Sequence, residues 1–391
     1  MKILHYLTNV DLRSGGVVRA VLDLCDCLSE LDLNITLAYC CADEALNERA
    51  SFHPFQVDSR PNFLGRFSRN ALAKLDALVR SSDVVHLHAP WDPANLHLAR
   101  LCRKHRVPYV VSPHGMLDDW SMNVRYLKKV TYLHLVAREF ISGAQLVHCT
   151  AEEEARQAGK RLFGAPTAVI PLALDLKPYG DLPGTALAEE LLANTPAEGF
   201  RVLFLSRVHP KKGVEYAIEA LALLRSSGIL VSLIIAGPGE QRYMKKLKGL
   251  AHKRSVDDCC HFVGSVHGAV KLSFLQLGHV LVLPTAQENF GLVLPEALAA
   301  GLPVITTRNV AIWRELERSQ GARIVDRTAH AFADAIRCLQ SDPDRRATMG
   351  QLGRDWATRQ FSGVEIAQRY EAMYRQAIQR ASSDDGIRPA G

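Results

Sequence analysis

Short apolar runs alternate with stretches of helical periodicity along the chain. Lys2–Thr8 (KILHYLT) is an apolar run that ends in a loop, Asn9–Gly16. Val17–Leu31 then places Val17, Val21, Leu24 and Leu28 at the spacing of one helical face. Further strands are expected at Asn34–Tyr39, Asp83–His88, Val107–Val111, Gln145–Cys149 and Thr167–Ile170. Helical stretches such as Asn95–His105 and Met122–Ile141 lie between them. Repeated βα units argue for a parallel sheet with helices on both faces.

The pattern pauses where Pro171, Pro178, Gly180, Pro183, Gly184, Pro196 and Gly199 accumulate, which is linker chemistry. It restarts with strands at Arg201–Ser206, Val231–Ala236, Cys260–Val263, His279–Leu283 and Pro303–Thr306, and helices at Gly213–Ser226 and Gly291–Ala300. The expected division is an α/β domain over 1–180, a linker over 181–199, and a second α/β domain over 200–363. An amphipathic helix over 364–380 and a tail over 381–391 complete it. In open parallel sheets ligands bind at the carboxyl ends of strands, so the chemistry belongs in those loops and in a cleft between the domains.

Composition narrows the class. The 391 residues are 48% hydrophobic and 23% charged, which excludes a disordered chain, a collagen-like repeat and a small disulfide scaffold. No apolar run approaches the roughly 20 residues of a membrane span. The N-terminus reads as a strand rather than a signal peptide, so a cytoplasmic protein is expected. Nine cysteines without a Cys-x-x-Cys pair read as buried thiols. The net charge of +6 is uneven: residues 1–195 carry 21 Lys+Arg against 22 Asp+Glu, and the remainder 26 against 19. A basic second half suits an anionic ligand, and the excess is too mild to imply nucleic acid.

Four loops carry candidate chemistry. Gly15-Gly16, between a strand and a helix, is either a tight turn or a place where amides approach an anion. It lacks the spacing of a dinucleotide fingerprint or a P-loop. His114, in Ser112-Pro113-His114-Gly115, is either structural or able to meet a sugar hydroxyl or handle a proton. Arg207 and Lys212 flank a strand end and a helix start, which makes either a solvated basic loop or a diphosphate site. Glu288 and Glu296 stand eight apart around Asn289-Phe290-Gly291-Leu292. These carboxylates are either a cap and a surface helix residue, or acceptors for sugar and ribose hydroxyls, with amides near Gly291–Leu292 open to phosphate. His86 and His88 are expected to project to opposite faces of their strand, so no metal site is expected. Asp342-Pro343-Asp344 reads as a turn.

Taken together, these elements resemble the retaining glycosyltransferases of the GT-B fold, family GT4. The matching residues are Gly15-Gly16, His114-Gly115, Arg207 with Lys212-Gly213, and Glu288-x7-Glu296 with its internal Phe-Gly-Leu. Pro171-Leu172-Ala173-Leu174-Asp175 departs from the family's Asn-Gly turn there. The resemblance implies two Rossmann-like domains facing a central cleft, with a last helix crossing back to the first domain. By resemblance, Arg207 and Lys212 neutralise the donor diphosphate. Glu288 engages the transferred sugar, Glu296 the ribose, and Asn289, Phe290, Gly291 and Leu292 the sugar and phosphate. His114 lies at the reacting centre, and Gly15-Gly16 lets the diphosphate approach. The implied reaction moves a hexose from a UDP- or GDP-sugar to a glycan or lipid-linked acceptor in exopolysaccharide or lipopolysaccharide assembly, without a metal or other cofactor. Two rivals are a non-transferring enzyme of the same fold, such as a UDP-sugar epimerase, and a catalytically idle sugar-nucleotide binder. Residues 122–141, with Arg125, Lys128 and Lys129 among apolar neighbours, suit peripheral attachment to an anionic membrane. Tyr126, Val130, Leu133, Ala137 and Phe140 are expected to form the packed stripe of that helix.

Overall fold

The computed structural model describes residues 1–11, 16–42, 46, 51–58, 60–62, 65–193 and 197–385. The chain divides into two compact units, Met1–Asp175 with the chain from Phe361 onward, and Leu176–Gln360.

In the first unit the strands are β1 (Lys2–Tyr6), β2 (Asn9–Val10), β3 (Asn34–Tyr39), β4 (Cys41–Ala42), β5 (His53–Gln56), β6 (Val84–His88), β7 (Tyr109–Ser112), β8 (Leu146–Cys149) and β9 (Thr167–Val169). Seven form one parallel sheet in the order β5-β3-β1-β6-β7-β8-β9, and β2 pairs with β4 apart from it. The central strands are apolar on both faces because helices cover both. One face packs on Gly16–Ser29 through Val18, Val21, Leu22, Cys25 and Leu28. The last helix, Gly363–Asp385, closes the same core with Ile366, Tyr370, Met373 and Tyr374, all buried. Burying a large apolar side chain contributes roughly 1.5–3 kcal/mol. Four such residues rival a domain's net stability of about 5–15 kcal/mol. The C-terminal helix is therefore integral to the first unit.

The second unit holds β10 (Phe200–Leu205), β11 (Val231–Ala236), β12 (Cys260–Gly264), β13 (Val280–Leu283), β14 (Val304–Thr307) and β15 (Ala322–Val325). They form a parallel sheet in the order β12-β11-β10-β13-β14-β15. The order reverses at β10: β11 follows on one side and β13 lies on the other. That is a topological switch point, where the loops after β10 and β13 part and leave room for a ligand. The stretch expected as a linker contains a short helix, Ala186–Leu191, whose Ala188 amide bonds Ser273 Oγ at 3.0 Å. It belongs to the second unit. Asp342 caps the helix Pro343–Gln360 by accepting from Arg345 N–H at 2.9 Å.

The stretch 122–141 is not one continuous helix. Arg125 adopts φ +56° after Asp119–Asn123, Tyr126–Tyr132 is helical, Leu133–Ala137 is a π turn, and Arg138–Ser142 resumes the α form. A π turn inserts a residue and rotates the preceding face. Leu133, Ala137 and Phe140 are buried as the stripe predicts, whereas Tyr126 is 55% exposed and Val130 only half-buried.

Candidate active site

The loop after β10 is built by local chemistry. His209 Nδ1 accepts from the Lys211 amide at 3.1 Å and caps the single turn Pro210–Lys212. Gly213 follows at φ +70°, and a Cβ there would stand 2.2 Å from the Pro284 carbonyl oxygen. The tight approach lets the two loops touch. The Ala286 amide donates to the Lys211 carbonyl at 2.7 Å, and the Thr285 hydroxyl reaches the same oxygen at 3.2 Å. The loop after β13 is tied onward: the Glu288 amide donates to Asn309 and the Ala311 amide to Glu288, each at 2.9 Å.

This bracing brings two of the expected residues together. Lys212 Nζ donates to Glu288 Oε2, and their side chains are 13% and 18% exposed. Burial pushes the Lys212 ammonium down to about 7, and the like charges of Lys211 and Arg207 act in the same sense. The Glu288 carboxylate, paired with Lys212, is the local counter-charge. Arg207, beyond β10, is exposed and close enough for its charge to be felt at Lys212. Gly291 sits at φ +68°, where a Cβ would lie 2.9 Å from Glu288 Cγ. A side chain there would displace the carboxylate. Phe290 is buried, Asn289 accepts from the Ala311 amide at 3.2 Å, and Leu292 caps the helix Val293–Ala299.

Glu296 is a buried partner of Lys271, at 2.5 Å, rather than a surface helix residue. Lys271 comes from the helix Gly268–Leu277 and was not singled out by the sequence. Nor was Arg327, which donates to the Pro284 carbonyl at 2.9 Å and lies 4.4 Å over the Tyr216 ring. Both are single cations in unremarkable sequence, and only the fold brings them to the loops.

In the first unit His114 follows β7 at φ +51°, in the left-handed region that non-glycine residues rarely occupy. The buried Glu154 carboxylate holds the turn: Gly115 N–H donates to one oxygen, and Thr150 N–H and hydroxyl to the other at 2.6 and 2.7 Å. Gly16 starts its helix, exposed, with open space where a Cβ would be. Gly15 lies outside the described residues.

The expectation for His86 and His88 is corrected. Residues two apart on a strand share a face, and the two rings are 4.2 Å apart between centroids. With His5 they bring ligand-type nitrogens within 4.8 Å of one another. Most of those nitrogens are already engaged. His86 bonds Tyr374 OH at 2.8 Å and Ser112 Oγ at 2.6 Å, and His88 bonds His5 and His114 at 3.0 Å each. Burial holds all of these imidazoles neutral, with His5 and His114 down to about 3 and His86 and His88 well below the usual value.

Residues 193–356 match the family described as Glycosyl transferases group 1, and residues 14–177 match Glycosyltransferase Family 4. A GDP-mannose-dependent alpha-(1-6)-phosphatidylinositol monomannoside mannosyltransferase of Mycobacterium tuberculosis is 29% identical over 279 residues, 69% of each chain. A D-inositol 3-phosphate glycosyltransferase of Kineococcus radiotolerans is 28% identical over 251 residues, 58% of this chain and 56% of that one. Among solved structures, Anabaena HepE in complex with UDP superposes with a TM-score of 0.77 at 20% identity, over 95% of this chain and 99% of that one.

Proposed function

Because the chain belongs to the family 4 glycosyltransferases of the GT-B fold, and so takes its sugar from a nucleotide-sugar donor, we propose that it transfers a hexose from UDP or GDP with retention of configuration. The acceptor is a glycan or a lipid-linked saccharide in exopolysaccharide or lipopolysaccharide assembly. The observation that carries this is the Lys212–Glu288 pair on braced loops at the switch point, with the charge of Arg207 felt at Lys212.

In the reaction the bond from the anomeric carbon to the β-phosphate oxygen breaks, and negative charge gathers on the diphosphate. Lys212 and Arg207 stabilise that charge as it develops, which is where electrostatic preorganisation acts. With donor bound, Lys212 turns from Glu288 to phosphate and Glu288 accepts from sugar hydroxyls. Glu296, fixed by Lys271, accepts from the ribose. The acceptor hydroxyl attacks from the face the leaving group departs, and a β-phosphate oxygen takes its proton. His114, neutral, meets a sugar hydroxyl, and Gly15-Gly16 admit the diphosphate. Two fixed cations make a divalent ion unnecessary.

No described helix is long and apolar enough to cross a membrane. The acceptor is reached instead by peripheral attachment to the inner membrane face through the 122–141 segment. Leu127 and Leu135 are 79% and 77% exposed there, beside exposed Tyr126, Arg125 and Lys128. Apolar side chains among cations suit an anionic lipid surface. The relative that acts on a phosphatidylinositol mannoside supports a lipid acceptor of this kind. The test is incubation with UDP- and GDP-hexoses and lipid-linked saccharides, with NMR of the new anomeric centre. A product of retained configuration is expected. Inversion, or an epimerised sugar nucleotide formed without acceptor, overturns the proposal.

A further inference from the structure

One chain of imidazoles runs from His114 into the core of the first unit. His114 Nε2 lies 3.0 Å from His88 Nδ1, and His88 Nε2 lies 3.0 Å from His5 Nδ1. His5 Nε2 is buried without a partner. A second chain lies beside it and uses none of the same nitrogens. Its order is set at one end by the Ile170 carbonyl, which can only accept, at 2.8 Å from His148 Nε2; the Tyr370 hydroxyl, 3.0 Å from the same nitrogen, then shares that N–H as a second acceptor. His148 Nδ1 therefore accepts from the Ser112 hydroxyl at 2.7 Å. Ser112 accepts from His86 Nε2–H at 2.6 Å, and His86 Nδ1 accepts from the Tyr374 hydroxyl at 2.8 Å.

The first chain has no carbonyl to fix it, so its order follows from its loose end. A neutral imidazole carries one N–H and one lone pair. Three rings joined by two hydrogen bonds then admit two orders. In one, His5 Nε2 carries a buried N–H with nothing to receive it, and His114 Nδ1 is bare. In the other, His5 donates from Nδ1 and keeps only an unused lone pair at Nε2. His88 donates from Nδ1 to His114 Nε2, and the His114 proton sits on Nδ1. Orphaned buried N–H groups are the rarer defect in native proteins.

We propose that His5 and His88 are positioning residues that hold His114 as its Nδ1–H tautomer, so that it meets the transferred sugar as a hydrogen-bond donor and not as a base. The sugar contact rests on the reading of His114 given under the proposed function; the proton order does not. The Glu154-held turn fixes the ring's backbone, and the relay fixes its proton. The same logic makes an orienting partner decisive for a catalytic histidine elsewhere.

Long-range proton–nitrogen correlation NMR on the full-length, 15N-labelled protein reads the tautomer directly, without any transfer reaction. At neutral pH His114 and His88 should each show a protonated Nδ1 and a lone-pair Nε2. The reverse order, or two averaged tautomers, overturns the proposal. His88→Leu should mix the His114 tautomers and lower transfer by roughly 10- to 100-fold, the range for lost orienting partners. It should leave nucleotide-diphosphate affinity unchanged, because His88 and His114 touch none of the groups assigned to the diphosphate. His88→Gln, which restores an amide N–H, should recover most of both. Wild-type transfer by His88→Leu overturns the positioning role. Normal transfer by His114→Ala overturns the sugar contact, and with it the functional reading of His114, whatever the spectrum shows.

Discussion

Lys212 Nζ donates to Glu288 Oε2 across 76 residues of sequence, joining the loops that follow β10 and β13. The pair is poised for exchange, since a diphosphate can replace the carboxylate at lysine while sugar hydroxyls replace lysine at the carboxylate. Lys212→Ala and Arg207→Ala should each cut kcat/KM for the donor, by about 10²–10³ for a donor aimed at developing charge. Lys212→Ala also strands Glu288 without its counter-charge. Steady-state kinetics with circular dichroism as a fold control decide this, and near wild-type kcat/KM in either variant would place the diphosphate elsewhere.

The lowered Lys212 sets a pH dependence. The folded group titrates at about 7 and the free amine at 10.5. Between those values the unfolded chain binds more protons, so this group's contribution to stability rises with pH. It is full above 10.5 and lost as pH falls through 7. Binding runs the opposite way, because the diphosphate needs the ammonium. Nucleotide-diphosphate affinity should therefore fall as pH rises above about 7, and Lys212→Arg should remove that fall. A pH series of dissociation constants with identical slopes for both proteins would rule out Lys212 as the titrating group.

Tyr374 tests the role of the last helix. Its hydroxyl donates to the buried His86 Nδ1 at 2.8 Å. Tyr374→Phe keeps the ring and leaves that nitrogen unpaired, at a cost of about 1–3 kcal/mol. Urea unfolding should show a lower midpoint at unchanged slope. No shift would mean the hydrogen bond contributes nothing to holding the helix on the first unit.

Membrane attachment should follow the exposed residues and spare Lys129, which turns inward to the Ser121 carbonyl at 2.5 Å and stacks 5.2 Å over Trp91. Each surface cation contributes about 1 kcal/mol near anionic lipid. Arg125→Glu/Lys128→Glu and Leu127→Asp/Leu135→Asp should each reduce flotation with anionic vesicles, and neutral vesicles should recover little of any protein. Equal recovery of all three proteins from anionic vesicles would count against this surface.

Much of this was legible in the sequence, for identifiable reasons. Runs such as VSLIIA and VLVL are apolar on both faces because helices cover both, so the parallel sheets follow from pattern alone. Loops after those strands follow from the same pattern, and Lys212 and Glu288 were found that way. His53–Gln56 and Ala322–Val325 escape the pattern because both are four-residue edge strands: HPFQ holds one large apolar side chain, and ARIV is apolar but too short to show a period. Missing the latter hid Arg327. Lys271 stayed hidden because its pairing with Glu296 depends on how two helices pack. The shared face of His86 and His88 is readable, since a strand's period of two puts both rings on one side, against the expectation of opposite faces.

We propose that Arg207 and Lys212 neutralise a nucleoside diphosphate without a metal. Calorimetric titration in EDTA, of UDP and GDP beside UMP and GMP, tests it most directly. Wild type should bind one diphosphate clearly more tightly than its monophosphate, and Lys212→Ala should erase most of that difference. Diphosphate binding that disappears in EDTA and returns with Mg²⁺ or Mn²⁺, or a preference for diphosphate that survives in Lys212→Ala, would contradict the account.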